Sequence, residues 1–354
     1  MKSRAIRKIA ALVIIAALAV TMAFALAACN EGGGGLGSGD IAILVPSADH
    51  GWTGAILSNA NAWAEEINAE GKYSARVITA TGDDAQKSQI EDIAANKNYK
   101  AVVILPYSNA VESSMKILAS SGIPFIMVDR IIDSVIEDAV ATVKGDNYQI
   151  GYITGERFVE KGLVAGDKVL IIPGDNSTVP LTRNEGFYAA LAEHGITEDN
   201  TTFEQLPSTN WSRDTGKQNF IDFVNGQTDF ADYDFIFTHD SELSMGIFEA
   251  LNESGIDDAK KSAFYAPAAD GQKVVLASSS GLDEAYSVLR GEKYQDIYSK
   301  LADFFDVTYP PEMIATALDL MVEYLDNGSV ANDAIVVEVD AVDATNVDEF
   351  KGFK

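Results

Sequence analysis

Residues 235–251 read FIFTHDSELSMGIFEAL. Phe235 to Thr238 form an apolar run too short for a helix and suited to a strand covered on both faces. The polar step His239-Asp240 ends that run, and Glu242 to Glu253 then carries apolar residues at helical spacing. This is one strand-to-helix step of an α/β protein, and the chain repeats it. Further strands are predicted at Ile41 to Val45, Ala75 to Thr79, Ala101 to Leu105, Phe125 to Val128, Lys168 to Ile172 and Val274 to Ala277. Between them the pattern predicts helices over Thr53 to Ala69, Ala85 to Asn96, Ala110 to Ser120, Tyr148 to Glu160, Arg183 to Glu193, Arg213 to Asn225, Leu282 to Leu289 and Glu312 to Leu325. So many steps exceed one open sheet, so the expected fold class is α/β with two doubly wound parallel-sheet lobes.

Open α/β sheets bind ligands beyond the carboxyl ends of their strands. The loops at those positions are polar and aromatic: PSADHGW at 46–52, Asp129-Arg130, GDNSTVPLTR at 174–183, Asn210-Trp211-Ser212-Arg213, His239-Asp240 and Ser278-Ser279-Ser280. A sugar presents C–H faces that pack on aromatic rings and hydroxyls that both donate and accept, so this mixture of tryptophan, carboxylate and guanidinium fits a polyol.

The 354 residues carry 26 Lys and Arg against 53 Asp and Glu, for a formal charge of -27, with 47% hydrophobic residues. That apolar fraction excludes a disordered chain, and the charge with no basic stripe in the body excludes nucleic acid as a partner. One cysteine rules out an internal disulfide and a thiolate zinc site, and the histidines at 50, 194 and 239 lack metal-ligand spacing, so no metal and no cofactor is expected. Gly32, Gly34 and Gly37 match a dinucleotide fingerprint, but no strand precedes them. The lone cysteine belongs to the N-terminus. Lys2, Arg4, Arg7 and Lys8 precede an apolar stretch from Ile9 to Phe24 and then Leu26-Ala27-Ala28-Cys29, which resembles a bacterial lipoprotein signal. The resemblance implies a signal peptide over 1–28 and a lipidated Cys29, with the Gly-rich stretch 29–39 as a tether to the membrane. The alternative is an uncleaved anchor helix.

From Ile41 to about Val339 the chain is similar to the type I periplasmic-binding-protein sugar receptors of the ribose, galactose and xylose group, the solute-binding components of ABC importers. The marks are the opening strand with an aromatic soon after it, GIPFIMVDR at 122–130, GDNYQIGYITGE at 145–156, TRNEGFYAAL at 182–191 and the stretch quoted at the outset. The family's Asp-Gly after strand Val274 to Ala277 is Ser278-Ser279 here, a family Asn after Thr238 is His239, and Asp257 to Lys273 is longer than the family norm.

The resemblance implies an N-terminal lobe of 40–144 plus 310–332, a C-terminal lobe of 145–309 plus 333–354 containing a strand at Ala334 to Val339, and a three-segment hinge. It places His50, Trp52, Asp129 and Arg130 on the first lobe, and Arg183, Trp211, His239, Ser278 and Tyr309 on the second lobe and hinge, around a monosaccharide ligand. The implied protein is an extracytoplasmic, lipid-anchored monomer that hands its sugar to ABC permease subunits. A sensor presenting its closed form to a membrane kinase or chemoreceptor is the alternative. An enzyme is the rival class, with Asp129 and Asp240 as a glycosidase pair, but G-x-S-x-G and H-E-x-x-H are both absent.

Overall fold

The computed structural model describes residues 37–48, 51–266 and 273–354. His50 and Cys29 lie outside them. In chain order the elements are β1 (Gly39–Pro46), α1 (Gly51–Glu70), β2 (Ala75–Ala80), α2 (Asp83–Asn96), β3 (Tyr99–Ile104), α3 (Glu112–Ser121), β4 (Phe125–Val128), β5 (Ala141–Gly145), α4 (Asn147–Glu160), β6 (Lys168–Ile172), α5 (Thr178–Glu193), β7 (Thr202–Gln205), α6 (Arg213–Gly226), β8 (Tyr233–Thr238), α7 (Ser241–Asn252), α8 (Asp258–Phe264), β9 (Val275–Ser280), α9 (Asp283–Leu289), α10 (Gln295–Tyr298), β10 (Asp303–Thr308), α11 (Met313–Asn327), β11 (Ala334–Val337) and β12 (Ala341–Val342).

Two six-stranded sheets result, ordered β11-β5-β4-β3-β1-β2 and β12-β10-β9-β8-β6-β7. Every pairing is parallel except that of β10 with β12. In each sheet the first strand in sequence, β1 or β6, sits second from the edge, so the winding reverses beside it and opens a crevice at the carboxyl ends. Ile41 to Val45 and Val169 to Ile172 are fully buried, which accounts for the unbroken apolar runs.

The chain crosses between the sheets three times, after β5, after β10 and after β11. One expectation is corrected here. The strand at Ala334–Val337 pairs with β5 in the first sheet, in register Ala334 with Thr142, rather than joining the second lobe. Only the short β12 that follows joins the second sheet, against Asp306 and Val307. A run of alternating exposed and half-buried residues suits an edge position in either sheet, and its partner is decided by where the third crossing falls.

The helices that meet the crevice are capped there. Asp146, Ser177, Ser212 and Asp240 accept from the backbone N–H of Gln149, Val179, Thr215 and Glu242, starting α4, α5, α6 and α7 at the carboxyl ends of the strands. Helices α4 and α5 cross at very close range. A Cβ on Gly151 would stand 1.8 Å from the Arg183 carbonyl oxygen, and one on Gly186 would stand 1.9 Å from that of Tyr148. Only glycines allow this contact, and it brings Arg183 onto Asn147 at the rim of the second lobe. No helix among the described residues is long and apolar enough to cross a membrane.

Candidate functional site

A cavity of about 30 Å³ between the two sheets is lined by Trp52, Asp129, Arg130, Val179, Arg183, Trp211, Asp240 and Tyr309. Six of these eight are residues picked out by the sequence.

The first lobe supplies an aromatic and an ion pair. Trp52 occupies the first turn of α1, where its indole Nε1 donates to the Tyr309 carbonyl at 2.9 Å and its ring lies 5.4 Å from the Tyr309 ring. Asp129 follows β4 in a three-residue turn closed by Arg130 N–H on the Val128 carbonyl at 2.8 Å, with φ at +62°. A non-glycine residue in this region is strained, and such strain collects where side chains are aimed for function. The turn directs the Asp129 carboxylate to the Tyr309 hydroxyl, which donates to it. Burial pushes the Asp129 carboxyl up, against the pull of Arg130, Tyr309 and Arg183. Arg130 Nη1 donates to the Tyr107 carbonyl, and its buried Nε, 3.8 Å from Asp129 Oδ2, has no hydrogen-bond partner among the described residues.

The second lobe supplies a buried guanidinium and a second tryptophan. Arg183 is 2% exposed. Its Nε donates to Asn147 Oδ1 at 2.9 Å, and its Nη1 donates to the His239 carbonyl and to Ser279 Oγ. The guanidinium carbon sits 5.0 Å from the Tyr309 ring centre and 5.6 Å from that of Trp211, so two aromatic faces stack on one cation. Trp211 and its neighbour Asn210 both have positive φ, +63° and +50°. The turn is tied down by Thr209, whose N–H bonds the Gly174 carbonyl at 2.8 Å and whose hydroxyl bonds that of Pro173 at 2.8 Å. A Cβ on Gly174 would lie 2.3 Å from the indole, so this glycine makes the space in which Trp211 lies. Burial raises the Asp175 carboxyl, but hydrogen bonds from Ser177 and Trp211 outweigh it and hold the group below its ordinary value.

Two sequence-chosen residues are placed elsewhere. His239 is fully buried behind Arg183, with its ring against Phe237 at 4.6 Å and its Nε2 3.1 Å from Asn184 Oδ1. Burial and the Arg183 charge hold its imidazole well below the usual range, so it is neutral. Ser278 is fully buried within β9, in register with Asp306 and 3.0 Å from Ser244 Oγ. The apolar run stops at Ala277 while the ladder to β10 continues to Ser280, so what reads as a loop is strand. Neither residue lines the cavity.

Besides the apolar Val179, Asp240 is the lining residue that sequence reasoning left out of the binding set. Its position directly after β8 was visible, but an Asp before a helix reads equally as a cap, and it is one. Beneath it, Ser241 Oγ donates to Asp306 Oδ2 at 2.6 Å and Gly281 N–H to Oδ1 at 2.9 Å. Burial pushes Asp240 up to about 7 and Asp306 up to about 6. Both folded values exceed the unfolded value near 3.8, so the folded state holds the extra protons and stability falls as pH rises through this window. His239 acts in the opposite sense below about pH 6.5, so the informative quantity is a difference between proteins. The stability of the wild-type chain relative to Asp240→Asn is expected to fall by about 2–3 kcal/mol between pH 5 and pH 8. Urea unfolding at both pH values checks this, and a difference that stays flat or rises contradicts it.

Residues 41–329 match the sequence profile of the periplasmic binding protein domain. The chain is 23% identical over 222 residues to the D-apiose import binding protein of Actinobacillus succinogenes, covering 62% of this chain and 68% of the relative. It is 25% identical over 239 residues to the ribose import binding protein of Bacillus subtilis, covering 63% and 74%. The fold also matches the crystal structure of a Caulobacter myo-inositol binding protein, with a TM-score of 0.68 at 20% identity over 88% of this chain and 95% of that one.

Proposed function

The chain belongs to the periplasmic binding protein domain family, and we propose that it is the extracytoplasmic receptor of an ABC importer, binding a monosaccharide between its lobes and delivering it to the permease. The observation that carries this reading is the inter-lobe cavity itself. Two tryptophans, a tyrosine, two aspartates and two arginines from both lobes converge on it. Trp52 and Trp211 offer apolar faces, while Arg130 and the carboxylates of Asp129 and Asp240 offer donors and acceptors for hydroxyls. The import binding proteins for D-apiose and ribose among its relatives support a sugar of this size.

Binding here is a matter of closure. The cavity holds only a few waters, and a sugar ring is larger, so the lobes must part to admit it. Once both half-sites touch the ring, its binding energy favours the closed form, which is what the permease reads. The residues form a recognition site rather than a catalytic one: the carboxylates are held by Tyr309 and by a helix N-terminus, and His239 is buried behind Arg183.

A thermal-shift screen of free pentoses and hexoses tests the reading, because a ligand that binds only the folded state raises the melting temperature by mass action. At a sugar concentration of 100 Kd the gain is about 2.7 kcal/mol. No shift with any sugar overturns it.

The same reading includes a lipid anchor at Cys29. Cys29→Ser is expected to abolish incorporation of labelled palmitate and to leave the precursor uncleaved by the lipoprotein peptidase. Normal labelling of that variant contradicts the anchor.

A further inference from the structure

We infer that the monosaccharide site extends into a second subsite, so that a disaccharide or a glycoside of similar size binds across both more tightly than a single ring; this rests on the sugar-receptor reading above. A second cavity of about 700 Å³ adjoins the inner one and shares Asp129 and Val179 with it. A space of this size falls in the range of roughly 300–1,000 Å³ typical of ligand sites, whereas the inner cavity is far smaller.

The lining of this outer cavity comes from both lobes, as the inner one does. Asn109 and Asp133 follow β3 and β4 of the first lobe, Lys144 and Tyr148 flank the first crossing, and Thr182 stands on α5 of the second lobe. These residues offer donors and acceptors of both kinds for hydroxyls. Tyr148 adds an aromatic ring that is 42% exposed and is backed by Tyr152 at 6.2 Å. An exposed aromatic beside polar groups is the same chemistry that Trp52 and Trp211 present to the first ring. The shared residues fix the geometry: a linkage leaving the first ring beside Asp129 passes Val179 and enters the larger space. Closure of α5 toward the first lobe then grips both rings.

The test is isothermal titration of the full chain with a panel of disaccharides and methyl or phenyl glycosides, each beside its component monosaccharides. At least one two-ring sugar is expected to bind at least tenfold more tightly than either component. Tyr148→Ala is expected to reduce the affinity for that two-ring sugar about threefold to tenfold and to leave the affinity for the component monosaccharide unchanged. Monosaccharides binding as tightly as every two-ring sugar, or two-ring sugars being excluded, overturns this inference and leaves the receptor reading in place. Equal loss for one-ring and two-ring ligands in Tyr148→Ala also overturns it. No heat from any sugar in either panel overturns the receptor reading and this inference with it.

Discussion

Arg183→Ala is expected to cost about 3–5 kcal/mol of stability, the usual penalty for removing one member of a buried charge network, and to abolish measurable sugar binding. Arg183 is 2% exposed and surrounded by the carboxylates of Asp240, Asp129 and Asp306 and by the Tyr309 hydroxyl. Burial pulls its pKa down, but these neighbours favour the charge. Truncation leaves the His239 carbonyl without its guanidinium donor and Asn147 Oδ1 without its donor at 2.9 Å. It also removes the cation on which Tyr309 and Trp211 stack, so the two rings lose their common support. Arg183→Lys keeps a charge but cannot serve Asn147, His239 and Ser279 from one planar fork, so it is expected to recover only a minor part of the loss. Urea unfolding with sugar titration checks both variants. Near-wild-type stability in Arg183→Ala contradicts the arrangement described here.

Arg130→Ala is expected to weaken sugar binding roughly 10- to 150-fold, the equivalent of losing hydrogen bonds from a charged donor worth about 1.5–3 kcal/mol. Its guanidinium lines the cavity and is anchored by one nitrogen to the Tyr107 carbonyl, which aims the rest. The buried Nε without a partner among the described residues is a donor whose cost is recovered when a sugar hydroxyl accepts from it. A lysine there has one ammonium to divide between Tyr107 and the ligand, so Arg130→Lys is expected to recover little. Calorimetric titration decides the matter. Unchanged affinity in Arg130→Ala removes the residue from the site.

Six of the nine chosen cleft residues gather around one cavity. Trp52, Asp129, Arg130 and Trp211 follow an apolar run or stand at a helix start, where strand topology leaves little freedom, while Arg183 lies inside α5 and Tyr309 follows a strand that no apolar run marks. Asp129 and Arg130 are the clearest case, since Phe125–Val128 was delimited to the residue. Ser278 failed for the converse reason. Hydrophobicity marks the end of burial by apolar neighbours, while a strand ends where its hydrogen-bond ladder ends, and β9 carries three serines inside the ladder because Ser244 satisfies Ser278, the His239 carbonyl and Arg183 satisfy Ser279, and Ser241 satisfies Ser280. The strands β5, β7 and β10 were not read at all. Lys144 interrupts the first, Thr202 to Gln205 is polar on an edge, and Asp303 and Asp306 break the apolar run of the last. Asp306 is buried through bonds to Ser241 and Gly281 from distant parts of the chain, which no local pattern reveals. The helix pair α4 and α5 was legible as two helices, but its contact through Gly151 and Gly186, which sets Arg183 on Asn147, is a tertiary fact.

Sugar recognition between the lobes is tested most directly by the electron density of a crystal of this chain grown with the sugar that gives the largest thermal shift. A sugar ring is expected between the lobes, with its faces against Trp52 and Trp211 and its hydroxyls on Arg130, Asp129 and Asp240. A sugar bound elsewhere on the chain, or a ring in the cleft that touches neither tryptophan, contradicts it.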